Sequence, residues 1–446
     1  MGVRNLFNKP LHFEYSLALF ALWKLLRLYA LSKQLCLVAK ELAGEKKVVT
    51  TLARKDDENY KKTLALLKPY LTSAAYHKTL EYAKDKLKLQ FLFEVVHLVA
   101  SLAFAFNKTA LKFWHFAGKL HNHRCVYSHV MAYVAVRAGF SFLFRFPFRY
   151  GSRFCLSKKH GLKTKSKFAF FKQLLACYLS IVFLGTLFLS GLTFLSKFSK
   201  KHFHLNVVLF LVALAMVYVW LVPCHFKLFL KAHLLHDSEL KKEVDLMAKK
   251  LGLSHKNVRV VPSDEASELV TLAWGLGKSR WLYLNESYVN LGKPSALALV
   301  AHGLGHFRHH HFFKFFLIKV VKVALFVFAF HHFKGHNNLF KSFGTHSVSA
   351  LPLRLDTFAA TAYVFVSFFY VLKNVYSDFV EFDADRYAVK HGHGDELVNF
   401  WTTVYREKKW FFNVDPLYGP LFNERPSLFE RVYAVYDATV PAKPAT

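Results

Sequence analysis

The segment ALALVAHGLGHFRHHH, residues 296–311, sets His302 and His306 four residues apart. On a helix such side chains lie about 40° apart on one face, which is how two imidazoles come to share one zinc ion. The chain has 25 histidines, so pairs at this spacing also arise without chemistry; His306 with His310 and His332 with His336 are two of them. A second constellation follows in SDFVEFDADRYAVK, residues 377–390, where Glu381 and Asp385 are again four apart. That pair is either a solvated helix face or part of the same centre. In the second case Glu381 supplies the carboxylate of a His2Glu zinc site with an open fourth position for water. Asp385 then holds a ligand histidine through its other ring nitrogen. The remaining clusters, His309 to His311, His331 with His332 and His391 with His393, suit interfacial or solvated positions.

The elements that must hold these groups are mostly membrane helices. Apolar residues make up 54% of the 446 and Phe alone counts 48, yet 20% are charged; a membrane protein with large polar segments has this mixture. Seven apolar runs approach spanning length, at 13–31, 89–106, 126–146, 170–195, 203–223, 312–333 and 357–375. The first contains Lys24 and Arg27, and the sixth Lys314, Lys319 and Lys322. Such residues are expected to snorkel or to face a polar interior. The formal net charge is +32. Its Lys and Arg lie in short connections and at the ends of apolar runs, not on one solvated domain with stacking aromatics. The partner implied is the lipid bilayer, with no nucleic acid.

Between the runs, 43–88 reads as soluble helix. Residues 225–295 read as an amphipathic helix near 238–251 followed by a strand pair, 258–261 and 281–284, bracketing 263–278. The expected order is a membrane region over 1–224, the soluble helix and strand pair over 225–295, the candidate zinc helix over 296–311, the last two runs over 312–376, and the third-ligand helix with a C-terminal segment over 377–446. Cys36, Cys125, Cys155, Cys177 and Cys224 form no CxxC pair, which argues against a disulfide framework or a thiolate zinc site. Arg4 and Lys9 precede a run that is itself a candidate span, so no cleavable signal is expected. Leu6 stands where myristoylation needs Ser or Thr, and the last six residues carry neither a prenylation box nor a retrieval signal.

On these motifs the chain resembles the type 1 CAAX prenyl proteases, integral membrane zinc metalloproteases. HGLGH with His311 five residues on is similar to that family's HELGH and its later third histidine. EFDAD, residues 381–385, resembles its ligand segment, and PSLFER, residues 426–431, its late Pro-x-x-x-Glu-Arg. Weaker echoes at 75–91, 146–172 and 239–253 extend the likeness over nearly the whole chain. The resemblance implies a mainly α, polytopic membrane protein, with about seven transmembrane helices around a polar chamber and a small soluble α+β cap carrying the strand pair. It implies one Zn2+ per chain at His302, His306 and Glu381, with Asp385 behind them. It implies clipping of three residues from the C-terminus of prenylated proteins, in the endoplasmic reticulum and nuclear envelope membranes.

Three features depart from the family. Its catalytic Glu falls at Gly303, and glycine can neither take a proton from the attacking water nor pass it to the leaving amine. Its oxyanion-stabilising His falls at Arg425, which can still stabilise negative charge. In its substrate strand, the Asn-Ala before Gly275 reads Val270 and Thr271. Glu424 is the nearest substitute carboxylate in the sequence. The expected function is that of a CAAX-type zinc metalloendopeptidase homologue, catalytically impaired or a pseudoprotease, that binds prenylated or membrane-associated polypeptide clients. Two other readings stay open: an active prenyl endopeptidase with an unusual site, and a transporter or channel.

Overall fold

The computed structural model describes residues 12–44, 57–120, 125–162, 166–198, 202–228, 230–235, 238–263, 269–277, 279–345, 350–423 and 425–439. By its internal contacts the chain forms two compact units. The first comprises Met1–Cys36, Lys84–Phe210 and Lys322–Phe369. The second comprises Leu37–Ala83, Leu211–Val321 and Tyr370–Thr446.

The apolar runs fall in long helices: α1 (His12–Leu42), α3 (Ala74–Phe106), α5 (Val126–Tyr150), α6 (Lys167–Phe198), α7 (Phe203–Leu228), α11 (His311–Phe333), and the pair α13 (Leu351–Thr361) and α14 (Tyr363–Lys390). Shorter helices α2 (Glu58–Leu71), α4 (Thr109–Leu120) and α12 (Asn337–Ser342) lie between them. Among the described residues four helices, α3, α5 with its continuation to Lys159, α6 and α7, are long and apolar enough to cross a membrane. The pair α13 and α14 makes a fifth, bent by 61°, where the Thr361 hydroxyl bonds back to the Thr357 carbonyl. Helices α1 and α11 carry the internal charges noted in the sequence and are not among these. In the first unit those charges do not simply snorkel. Lys24 and Arg27 on α1 converge on Glu94 of α3 at 2.7 and 2.8 Å, with Lys24 and Glu94 almost fully buried. A buried ion is tolerable when its partner is this close and well aligned.

The second unit holds the sheet, of strands β1 (His233–Leu234), β2 (Val258–Val261), β3 (Thr271–Leu276) and β4 (Ser279–Asn285). Their order is β1-β2-β4-β3. Strand β2 pairs antiparallel with β1 and parallel with β4, while β3 and β4 form an antiparallel hairpin. The expected strand pair therefore exists as β2 and β4, with β3 added inside the bracketed segment and β1 before it. Strand β3 escapes a pattern reading because Gly275 and Gly277 punctuate it. Gly275 has φ +104°, and a Cβ there would meet the Ser279 carbonyl. This unit also holds helices α8 (Ser238–Lys249), α9 (Glu286–Val289), α10 (Lys293–Arg308), α15 (Gly394–Lys408), α16 (Tyr418–Phe422) and α17 (Leu428–Thr439), besides α2 and parts of α1, α3, α7, α11 and α14.

Candidate metal centre

Helix α10 starts after Gly292, whose φ of +122° suits glycine, with Pro294 in its first turn. From Ala296 to Gly305 it is buried on every side, so small residues line it wherever a neighbour comes close. At Gly305 the neighbour is α14: a Cβ would lie 2.9 Å from the Ala384 Cα, the Ala384 carbonyl and the Tyr387 Cβ. This backbone-to-backbone approach brings the histidine helix against the carboxylate helix. Gly305→Ala is expected to cost about 1–3 kcal/mol through overpacking and to lower bound zinc, read by thermal unfolding and metal analysis. An unchanged zinc content would show that the helix crossing does not set the site.

Across that approach His302, His306 and Glu381 present one ligand atom each, all within 4.8 Å of one another. The two Nε2 atoms are 3.2 Å apart, and His302 Nε2 is 3.6 Å from Glu381 Oε2. Around a tetrahedral zinc with bonds of about 2.0–2.2 Å, neighbouring ligand atoms sit about 3.3–3.5 Å apart. The donor set and its spacing fit zinc. This is the only such group of three among the described residues; the other histidine clusters form none. The His306 imidazole is held neutral, its pKa lowered to about 3 by burial and then by His302, against the opposing pull of Glu381. A neutral ring keeps its lone pair for a metal.

Behind the trio the orientation of each ring is fixed. His302 Nδ1 bonds Asp385 Oδ1 at 2.8 Å, and His306 Nδ1 lies 3.0 Å from His311 Nδ1. Arg431 is fully buried and joins the two carboxylates. Its Nε donates to Asp385 Oδ2 and its Nη2 to Glu381 Oε2, each at 2.7 Å. Its guanidinium stacks on Trp401 at 3.4 Å, and Trp401 Nε1 donates to Asp385 Oδ1 at 3.2 Å. Burial alone would lower the Arg431 pKa, but the Asp385 and Glu381 carboxylates outweigh it and hold it above its usual value. Helix α17, which delivers Arg431, opens on a capping box: Ser427 Oγ accepts the Glu430 N–H while Glu430 accepts the Ser427 N–H. The S-x-x-E spacing of 427–430 is the local signal for this helix start; above, the segment entered only through its Pro-x-x-x-Glu-Arg resemblance. Trp401 carried no chemical signal in the sequence.

Two of the remaining candidates lie by this centre: Gly303 is next to His302, and the positive charge of Arg425 acts on Glu381. Gly303 follows His302 on α10 with Leu282 of β4 pressed against it; a Cβ on Gly303 would lie 2.5 Å from Leu282 Cδ1. Arg425 stacks on Trp410 at 4.5 Å, and Glu424 lies outside the described residues. Val270 is buried, its carbonyl accepting the Asn285 N–H at 3.2 Å. Thr271 begins β3 at the sheet edge, its hydroxyl buried without a partner among the described residues. Asp378, one turn before Glu381, also keeps a buried carboxylate oxygen, Oδ1, without a partner.

Residues 58–229 match the family model described as "CAAX prenyl protease N-terminal, five membrane helices", and residues 234–438 match "Peptidase family M48". The chain is 24% identical to a CAAX prenyl protease 1 homolog of Dictyostelium discoideum, covering 84% of this chain and 89% of that one. It is 23% identical to CAAX prenyl protease 1 of Saccharomyces cerevisiae, over 83% and 87%. Its fold is that of the crystal structure of S. mikatae Ste24p, with a TM-score of 0.81 at 20% identity, covering 95% of this chain and 99% of that one. With the two family models in tandem over most of its length, the chain belongs to the CAAX prenyl protease family of M48 metallopeptidases, multi-pass proteins of the membrane.

Proposed function

We propose that this chain is a membrane-embedded CAAX-protease homologue that holds one zinc ion at His302, His306 and Glu381 and binds prenylated or membrane-associated polypeptides without cleaving them efficiently. The observation that carries this reading is Gly303 with Leu282 packed over it. In an HExxH centre the residue after the first histidine is the general base. Here that position offers no carboxylate, and its space is filled by a leucine. When bound, zinc would supply Lewis acidity at an open fourth position. The chain's own groups do the rest: Asp385 and His311 orient the two imidazoles, and Arg431 steadies the carboxylates. The edge strand β3, entered through Val270 and Thr271, offers unpaired backbone on which an extended client can lie. The family resemblance points to the endoplasmic reticulum, with the nuclear envelope, as the membrane concerned.

A second reading, an active enzyme with a substitute base, is favoured by the unpartnered oxygen of Asp378. Zinc content and cleavage of a farnesylated CAAX peptide, measured on one purified sample, separate the two. About one zinc per chain with little cleavage is expected, and zinc falls in both His302→Ala and Glu381→Ala. Full zinc in both variants would put any metal elsewhere. Robust cleavage by the unmodified chain would falsify the pseudoprotease reading, and Asp378→Asn would then be the first variant to make, with Glu424→Gln beside it.

A further inference from the structure

Helix α5 carries Arg137, Ser141, Arg145 and Arg149 at successive steps of four, so they run along one stripe of a helix apolar enough to cross a membrane. An arginine on such a helix is costly without a counter-charge. Arg137 has one: it pairs with Asp356, which also accepts the Tyr133 hydroxyl at 2.7 Å. Arg145 and Arg149 have no hydrogen-bond or ion-pair partner among the described residues. Both line a cavity of about 450 Å3 formed by α5, α6 and α13. Its charged lining is Arg137, Arg145, Arg149 and Asp356, so its wall carries a net positive charge even after Arg137 is neutralised. Apart from Ser141 and Cys177 the rest is apolar or aromatic, with Val134, Ile181 and Phe188 among the lining residues. A neighbouring cavity of about 490 Å3 shares Arg137, Arg145 and Asp356 and adds Lys108 and His97 without a further carboxylate.

We infer that the first of these cavities is a binding site for an anionic phospholipid, its phosphate held by Arg145 and Arg149 and an acyl chain laid along Val134, Ile181 and Phe188. The two arginines are one helical turn apart, about 6 Å along the axis, close enough for one phosphate group to engage both forks. Basic pockets between membrane helices take anionic head groups for this reason. A soluble anion would leave the apolar wall unfilled. A zwitterionic head group would bring its own cation to an already positive wall.

Native mass spectrometry of the detergent-purified full chain, titrated with dioleoyl phosphatidic acid, dioleoyl phosphatidylcholine or inorganic phosphate, tests this. A one-lipid adduct with phosphatidic acid is expected at least about tenfold more readily than with phosphatidylcholine, since charge-assisted contacts distinguish them. The adduct should fall about tenfold in Arg145→Gln/Arg149→Gln, survive largely in Arg145→Lys/Arg149→Lys, and fall in Ile181→Trp, which blocks the chain's path and leaves both arginines in place. Equal uptake of the two lipids would overturn the proposal, as would an adduct unchanged in the Gln pair or in Ile181→Trp. Displacement of the lipid by millimolar inorganic phosphate would reassign the arginines to a soluble phosphate and overturn the lipid assignment. Should the Gln pair fail to fold, the Lys pair and Ile181→Trp still decide between these outcomes.

Discussion

Gly303→Glu combined with Leu282→Ala raises cleavage of a farnesylated CAAX peptide at least about a hundredfold over the unmodified chain, since a positioned general base contributes 10²–10⁴. Gly303→Glu alone should do less. The new Cβ would sit 2.5 Å from Leu282 Cδ1, so the leucine must swing aside within a fully buried position on β4. Trimming it to alanine opens the space, at a cost of about 2–5 kcal/mol for the lost core contacts. The double variant is therefore compared at a temperature where its zinc content matches that of the parent. The single variant equalling the double would show that Leu282 yields freely. A gain that grows again with Arg425→His would assign the remainder to the oxyanion position. No gain in either variant, with zinc present, would mean that the client groove no longer sets a scissile bond over the metal, and would favour a dedicated binding role.

Arg431→Met should be the most damaging single substitution in the second unit. It removes the shared cation from Glu381 and Asp385, and breaking a buried ion network from one side costs about 3–5 kcal/mol. The thermal midpoint in detergent should drop by about 10 °C. Lysine is no remedy, because one ammonium cannot reproduce the fork that meets Asp385 through Nε and Glu381 through Nη2. Zinc and Arg431 would both supply positive charge to Glu381, so the gap between variant and parent should be widest after chelation and narrow when metal is restored. A drop below about 2 °C in the chelated state would show that the carboxylates find other partners.

How much of this was legible depends on the range of the contact. His302, His306, Glu381 and Asp385 could be picked out because each pair sits one helical turn apart, and one turn is visible in a sequence. What binds one pair to the other is not periodic: Gly305 against Ala384, and Arg431 reaching back 46 residues to Asp385. Gly303 in the sequence reads only as a missing carboxylate. That its space is occupied by Leu282 depends on the packing of β4 against α10, which no local pattern encodes. The membrane count was blurred for a related reason. The charges in the first run are absorbed by Glu94, so a long helix can be membrane-like in its packing and still fall short in its composition. The break between α13 and α14 turns the seventh run into a bent pair with neither Pro nor Gly to announce it.

The clamp of Arg431, Trp401 and Asp385 gives the residues behind the candidate ligands a second employment. Asp385 and Arg431 are almost wholly sequestered from solvent and tie α10, α14, α15 and α17 together whether or not a reaction ever takes place. Losing one of them would break contacts among four helices, whereas a side chain at Gly303 would meet Leu282 alone and bears chiefly on the reaction. A lineage could thus abandon hydrolysis and still inherit the clamp with the candidate ligands His302 and Glu381 that it engages, because the architecture would not tolerate their departure. For chains built this way, intact metal-binding residues testify to a sound scaffold, and the side chain beside the first histidine is the better witness to whether the enzyme still works.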